Sequence, residues 1–73
     1  MNEEYEVEIK KNSELEDCPE GSHIILVFNN GEEYHGIFRG FDGDDTIMLR
    51  SETEKSVTIG LPFNRLKCWL LKL

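Results

Sequence analysis

The sequence predicts an all-β fold: a small, strongly bent antiparallel barrel of five strands over residues 21–73, preceded by an acidic N-terminal arm over residues 1–20. Three observations support this prediction. From Gly21 onward, β-branched and aromatic residues alternate with polar residues at a period of two. Glycine, asparagine and aspartate clusters separate these runs at short intervals. A chain of 73 residues has room for one domain with a small core.

The apolar runs and the turn residues between them define each strand. The predicted strands cover residues 23–28, 32–41, 46–50, 56–61 and 66–73. Turns are predicted at residues 29–31 and 42–45, a polar loop at residues 52–55, and a tight 3₁₀ connector at residues 62–65.

The N-terminal arm carries most of the net charge of −7, since residues 1–20 contain eight acids and two bases. It is either a solubilising segment or a contact for a basic partner. Residues 4–10 alternate Tyr5, Val7 and Ile9 with charged residues, which favours a strand. A helix competes with it, because glutamate and lysine are good helix formers. Residues 13–17 suit a single helical turn.

The register of the first hairpin follows from its apolar pattern. A two-residue loop would place His35 on the apolar face of the preceding strand. A three-residue loop, with Gly31 at positive φ, places Tyr34 and Phe38 there and turns His35 outward. A slip of one residue exchanges the two faces, so the apolar pattern selects the three-residue loop. The predicted interior is then Ile24, Leu26, Phe28, Tyr34, Phe38, Ile47, Leu49, Val57, Ile59, Leu66 and Cys68.

Gly36 and Gly40 lie inside the long second strand. Glycine within a strand marks a bend or a close approach of backbone. A five-stranded sheet must bend sharply to close, and these positions are predicted to supply the bends.

Residues 21–42 resemble the first motif of the Sm and Sm-like protein family. The resemblance rests on the pattern Gly21-x-x-Ile24-x-Leu26-x-Phe28-x-Asn30-Gly31-x-x-Tyr34-x-Gly36-x-Phe38-x-Gly40-Phe41-Asp42. It implies the Sm-like (SH3-like) barrel and, commonly, a ring of subunits that binds RNA.

The chain departs from this family where the family binds RNA. The positions that match the RNA site are Asp42, Asp44 and Thr46, and the family has a stacking residue and an asparagine at the last two. The second Sm motif, an apolar residue followed by Arg-Gly, is replaced by the sequence of residues 61–69. Weak RNA binding is therefore expected, because Asp44 repels phosphate and neither position offers an aromatic face or an amide.

The chain is also similar, more loosely, to the Rho-binding antiterminator family. Members of that family are acidic proteins with an Sm-like barrel and a short N-terminal segment. The similarity implies binding to the RNA-binding face of a transcription terminator.

Residues suited to catalysis or metal binding are few and scattered. His23 and His35 lie on strands among apolar neighbours, and the acidic cluster at residues 42–45 has turn spacing rather than that of a calcium loop. Cys18 and Cys68 have no activating base nearby in sequence. We expect no enzyme activity, cofactor, metal, small-molecule substrate or membrane contact, and a cytoplasmic location, since no signal peptide is visible.

Surplus apolar residues indicate a contact surface. Both faces of the last strand are apolar, with Leu66, Cys68 and Leu70 predicted on one face. The candidate interface on the other face and on the first hairpin comprises Trp69, Leu71, Leu73, Ile25, Val27 and Ile37. The N-terminal arm or a neighbouring subunit is expected to cover Trp69, since a tryptophan gains much from burial.

These observations predict a small non-catalytic binding or assembly module. Protein–protein interaction or self-association, including a homo-oligomer, is the favoured function. The alternative is an Sm-like RNA-binding protein, as a ring with a non-standard RNA site.

Overall fold

The computed structural model describes residues 6–52 and 57–73. Over these residues the chain forms one antiparallel sheet of six strands, which confirms the all-β prediction. In chain order the strands are β1 (Val7–Lys10), β2 (His23–Phe28), β3 (Glu33–Asp42), β4 (Thr46–Ser51), β5 (Thr58–Pro62) and β6 (Leu66–Lys72). Their spatial order is β1-β6-β2-β3-β4-β5, and in the described residues β1 and β5 each pair with one neighbour only. The sheet is therefore not closed.

Two 3₁₀ segments connect the strands. One spans Asn12–Asp17 between β1 and β2, and the other spans Phe63–Arg65 between β5 and β6. Both match helical turns that the sequence predicted. Of the two alternatives for residues 4–10, the strand is observed at β1, whereas Tyr5 lies outside the described residues. Most of the predicted polar loop at residues 52–55 lies outside them as well.

The first hairpin has the predicted register. Leu26 lies opposite Tyr34, and the N–H of Phe28 donates to the carbonyl of Glu32, leaving a three-residue loop. Gly31 occupies the left-handed region at φ +90°, where a side chain would be strained. As a result Tyr34 turns inward and packs edge-to-face on Phe28, with the ring centroids 5.5 Å apart. This register also buries Phe38 and exposes His35.

The two glycines of the long strand β3 have different structural roles. The register between β3 and β4 shifts between Phe38 and Phe41, and Gly40 at φ +87° lies within this irregularity. Gly36 serves a different purpose, because a Cβ there would collide with the carbonyl oxygen of Arg50 and the side chain of Leu49. The predicted irregularity is therefore found at Gly40, whereas Gly36 lies at a close backbone approach and not at the bend that was predicted there.

The last strand does not alternate as predicted. Phe28 pairs with Leu66, but Val27 pairs with Cys68, so Lys67 is an extra residue in β6. The irregularity reverses the facing of the strand after Leu66. Trp69 joins the core at 2% exposure, and Cys68 turns to the opposite face. The prediction that Cys68 is interior and that Trp69 faces away from Leu66 is therefore wrong.

The core lies on one side of the sheet and includes a residue of the arm. Leu15 of the first 3₁₀ segment is completely buried, and the arm therefore contributes to the same core as the strands. The buried cluster comprises Leu15, Ile24, Leu26, Phe28, Phe38, Ile47, Leu49, Leu66 and Trp69. Partly buried Cys18, Tyr34, Phe41, Leu61, Phe63 and Leu71 pack against it.

Two residues predicted to be interior are exposed instead. Val57 and Ile59 have 37% and 38% of their surface accessible. Ile59 does face the core side of the sheet, because it pairs with the buried Leu49. It is exposed because β5 is the last strand of an open sheet, and no described strand lies beyond it. Alternation correctly predicted the face of Ile59 but not its burial.

Replacing Gly36 by alanine tests the close approach between β3 and β4. The added methyl group would meet the Arg50 carbonyl and Leu49, so Gly36→Ala should lower the free energy of unfolding by about 1–3 kcal/mol, as overpacking does. Chemical denaturation measures this change. The exposed neighbour provides a control, since His35→Ala should alter stability by about 0.5 kcal/mol or less. Equal effects of the two substitutions would contradict the interpretation.

Candidate functional site: the open edge of the sheet

The six residues of the predicted interface do not form one surface. Trp69 and Leu71 face the core side. Leu73 is 64% exposed at the end of the chain, where its N–H donates to the carbonyl of Glu6. The remaining residues, Ile25, Val27 and Ile37, lie on the opposite face of the sheet, which we call the outer face.

The arm covers Trp69 within the same chain. Its indole Nε1–H donates to the carbonyl oxygen of Lys11 at 2.9 Å. The side-chain amide of the neighbouring Asn12 donates to the carbonyl of Leu66 at 2.7 Å. The arm is therefore hydrogen-bonded to β6 at both Leu66 and Trp69. Of the two covers that the sequence left open, the structure shows the arm. Trp69 is therefore buried in the core within a single chain.

The outer face carries a short apolar row across three strands. Ile9 of β1 pairs with Leu70 of β6, which in turn pairs with Ile25 of β2. Ile9 is 77% exposed, whereas Ile25 is only 4% exposed, so the row is open mainly at the β1 end. Val27 and Ile37 on the same face are half-buried.

A charged cluster borders the apolar row. The Glu52 carboxylate lies 2.7 Å from His23 Nδ1 and 3.1 Å from the ammonium group of Lys72. The hydrogen bond from His23, followed by the contact with Lys72, lowers the pKa of Glu52 below its usual value. Glu52 thus remains ionised and links β2, β6 and the residue that follows β4. These contacts connect the three parts of the sheet at its surface.

The edge of β5 exposes unpaired backbone groups. The N–H of Ser51 donates to the carbonyl of Val57, and the N–H of Phe63 donates to the carbonyl of Asp45. In an antiparallel ladder, alternate residues point their backbone groups to opposite sides. The odd-numbered residues of β5 therefore bond to β4, and Thr58, Gly60 and Pro62 point away from it. Because proline has no N–H, the donors that β5 itself offers at this edge are those of Thr58 and Gly60.

An apolar depression accompanies this edge on the core side. One cavity of about 250 Å³ is lined by the apolar Leu49, Val57 and Ile59 and by the polar His35 and Ser51. A second of about 270 Å³ is lined by the apolar Phe28, Leu61 and Pro62 and by the polar or charged Asn29, Asn30, Glu32 and Arg65. Tyr34 lines both cavities, so they adjoin each other. We call this surface, with Tyr34 at its centre and Val57, Ile59 and Leu61 along one side, the β5 trough. It combines exposed apolar side chains with unpaired backbone groups, which are the two requirements for binding an extended strand.

The residues matched to the family's RNA site lie at the turn between β3 and β4. Asp42 pairs with Thr46 at the base of the turn, and Asp44 is exposed at its tip. A wide cleft of about 520 Å³ brings Thr46 together with Asn64 and Arg65 of the second 3₁₀ segment. The sequence analysis treated residues 62–65 as a connector within the segment that replaces the second Sm motif, and it did not predict this proximity. The sequence feature that could have indicated it is the pair Asn64 and Arg65, which places an amide and a guanidinium group in a short turn.

The histidines and cysteines are the side chains that the sequence analysis considered for catalysis. His23 and His35 each contact a glutamate, Glu52 and Glu33 respectively, on the exposed outer face. Within residues 6–52 and 57–73, no three histidine, cysteine, aspartate or glutamate side chains are placed to hold a metal ion. Cys18 and Cys68 are both free thiols.

The chain matches no family model, no curated protein and no solved structure. In the described part of the chain, no helix has the length and apolar character needed to cross a bilayer.

Fluorescence of Trp69, the only tryptophan, tests whether the arm covers it. Deletion of residues 1–12 removes β1 and the Lys11 carbonyl, so the emission should shift to the red at every protein concentration. Leu15→Ala in the intact chain should lower stability by about 2–5 kcal/mol, because it opens a cavity beside the indole ring. Ile9→Ala, at an exposed position of the same arm, is the control and should change neither property. A red shift on dilution of the intact protein would show instead that a neighbouring subunit covers Trp69.

Proposed function

We propose that this protein is a small non-catalytic protein-binding or assembly module on an Sm-like barrel, and that the β5 trough is its binding surface. The carrying observation is that β5 and the residue before it leave three apolar side chains beside an unpaired strand edge. Val57, Ile59 and Leu61 all face the core side, yet no described strand covers them. A partner strand would cover these side chains and bond to Thr58 and Gly60.

The barrel assignment is supported by the path of the chain. A long β3 with an irregularity at Gly40 follows a three-residue hairpin loop, as the first Sm motif implies. Five strands, β2 to β6, follow the arm in the order that the resemblance requires. In this proposal β5 is the strand that leaves the barrel open.

The absence of edge protection also favours binding at β5. Soluble proteins commonly protect an exposed edge with charged residues, prolines or bulges. β5 has a proline only at its last position and carries no charged residue over Thr58–Pro62. The opposite edge strand, β1, alternates apolar residues with Glu8 and Lys10. Of the two free edges, β5 is therefore the better suited to pair with another strand.

A photo-crosslinking experiment tests the proposed surface. A benzophenone side chain in place of Ile59 should form covalent adducts with protein when the chain is irradiated in its source cell, because the trough would hold the partner against it. The same group in place of Asp44, an exposed turn residue of a different surface, is the matched control and should form none. The absence of protein adducts at position 59, or equal yields at both positions, would refute the proposed function.

RNA binding remains the alternative function, and one observation favours it. Arg65 and Asn64 share a cleft with Thr46, next to the turn that matches the family's RNA site. Asp45 lines the same cleft, and Asp42 and Asp44 are exposed close by in the chain. These carboxylates oppose the approach of phosphate groups, since affinity for nucleic acid comes largely from basic side chains. The charge of the cleft therefore argues for protein binding as the main function.

Fluorescence anisotropy with uridine-rich and adenine-rich oligonucleotides tests this alternative. At physiological salt we expect dissociation constants of about 10⁻⁴–10⁻⁶ M, the range of non-specific binding. Asp44→Asn should strengthen binding, because it removes a negative charge from the turn, whereas Glu33→Gln on the outer face should leave it unchanged. Tight, sequence-selective binding by the unaltered protein would contradict this expectation.

A further inference from the structure

We infer that the β5 trough binds a second copy of this chain, with the two β5 strands paired antiparallel about a twofold axis at Ile59. This inference rests on the proposed function, because it names the partner of the same surface. The strand edge, the side-chain pattern and the charge each point to this partner.

The backbone groups of the edge are self-complementary. With Ile59 opposite its counterpart, Thr58 of one chain lies opposite Gly60 of the other, and the reverse holds across the axis. Both residues point their N–H and carbonyl groups outward, so this register forms four hydrogen bonds and leaves none of these groups unpaired. Pro62, which has no N–H, then falls outside the paired stretch. A shift that centres the axis on Gly60 places Pro62 opposite Thr58 and leaves the Thr58 carbonyl without a donor.

The side chains match in the same register. Ile59 meets its counterpart at the axis, and Val57 lies opposite Leu61 of the second copy. Two residues directly opposite each other in a pair without mutual hydrogen bonds have their Cα atoms about 4.5 Å apart, so their side chains are in contact. The two troughs would join on the core side into one apolar layer, with exposed residues from each chain covering those of the other.

Charge favours pairing of β5 with a second β5 over pairing of β5 with β1 of the second copy. The protein has a net charge of −7, so two copies repel each other unless they meet at a neutral surface. Residues 57–62 contain no ionisable side chain. If β1 of a second copy added to β5 instead, Glu8 and Lys10 would lie on the core side, as their pairing with Leu71 and Trp69 shows. Those charges would then face the apolar trough.

The molecular mass of the full chain in solution tests the inference. Sedimentation velocity should show concentration-dependent association from the monomer of 8.5 kDa to a species of twice that mass. Ile59→Lys should abolish the dimer, because it places two positive charges together at the axis. Ile9→Lys, the same substitution at an exposed position of β1, should leave the dimer intact. Circular dichroism on both variants confirms that they remain folded.

Disulfide trapping tests the register without a charge substitution. In a Cys18→Ser, Cys68→Ser background, Ile59→Cys should form an intermolecular disulfide readily, because opposed Cα atoms about 4.5 Å apart lie within disulfide range. Thr58→Cys is the matched control, since its counterpart lies diagonally, beyond about 7 Å, and it should crosslink poorly.

The outcomes of these experiments distinguish failure of the inference from failure of the proposed function. A monomer at the highest soluble concentration, a dimer that survives Ile59→Lys, or a dimer lost with Ile9→Lys would overturn the inference. So would equal disulfide yields at positions 58 and 59. If the benzophenone at position 59 captures a different protein while the chain stays monomeric, the proposed function stands and the twofold pairing fails. If position 59 captures no protein at all, the proposed function fails.

Discussion

The extra residue at Lys67 determines how the last strand meets the core, and much of the remaining structure depends on it. Without it, Leu66 and Cys68 would share a face and Trp69 would point away from the core. With it, Leu66 and Trp69 both lie inside, spaced by three residues rather than two. A tryptophan in so small a core reaches its boundary, and the arm completes the burial through Leu15 and the Lys11 carbonyl. The arm is therefore an integral part of the core.

The sequence was informative where the apolar pattern distinguished between two registers. For the first hairpin, Gly31 was compatible with a loop of two or three residues, and the apolar alternation selected the three-residue loop that the structure has. In β6 the alternation gave no such guidance. Leu66, Cys68 and Leu70 make one apolar series, and Trp69 and Leu71 make another, so nothing in the pattern revealed an irregularity between them.

The candidate site shows a different limit of sequence reasoning. The alternation of Val57, Ile59 and Leu61 predicted the correct face of β5, because alternation reports which side of a sheet a residue occupies. Whether that side is covered depends on whether the ends of the sheet meet, which is a property of the whole chain. The exposed edge could therefore be recognised only in the structure. The same holds for the proximity of Thr46 to Arg65, which comes from residues far apart in sequence.

The position of β1 has a consequence for how copies of this chain can associate. β1 occupies the outer edge of β6 through the four residues Val7–Lys10. A neighbour that used the edge of β6 would have to displace this strand, and the displaced arm would also release the hydrogen bond to Trp69. Occupation of that edge by a neighbour and docking of the arm are mutually exclusive. The arm is thus an internal competitor for the edge of β6.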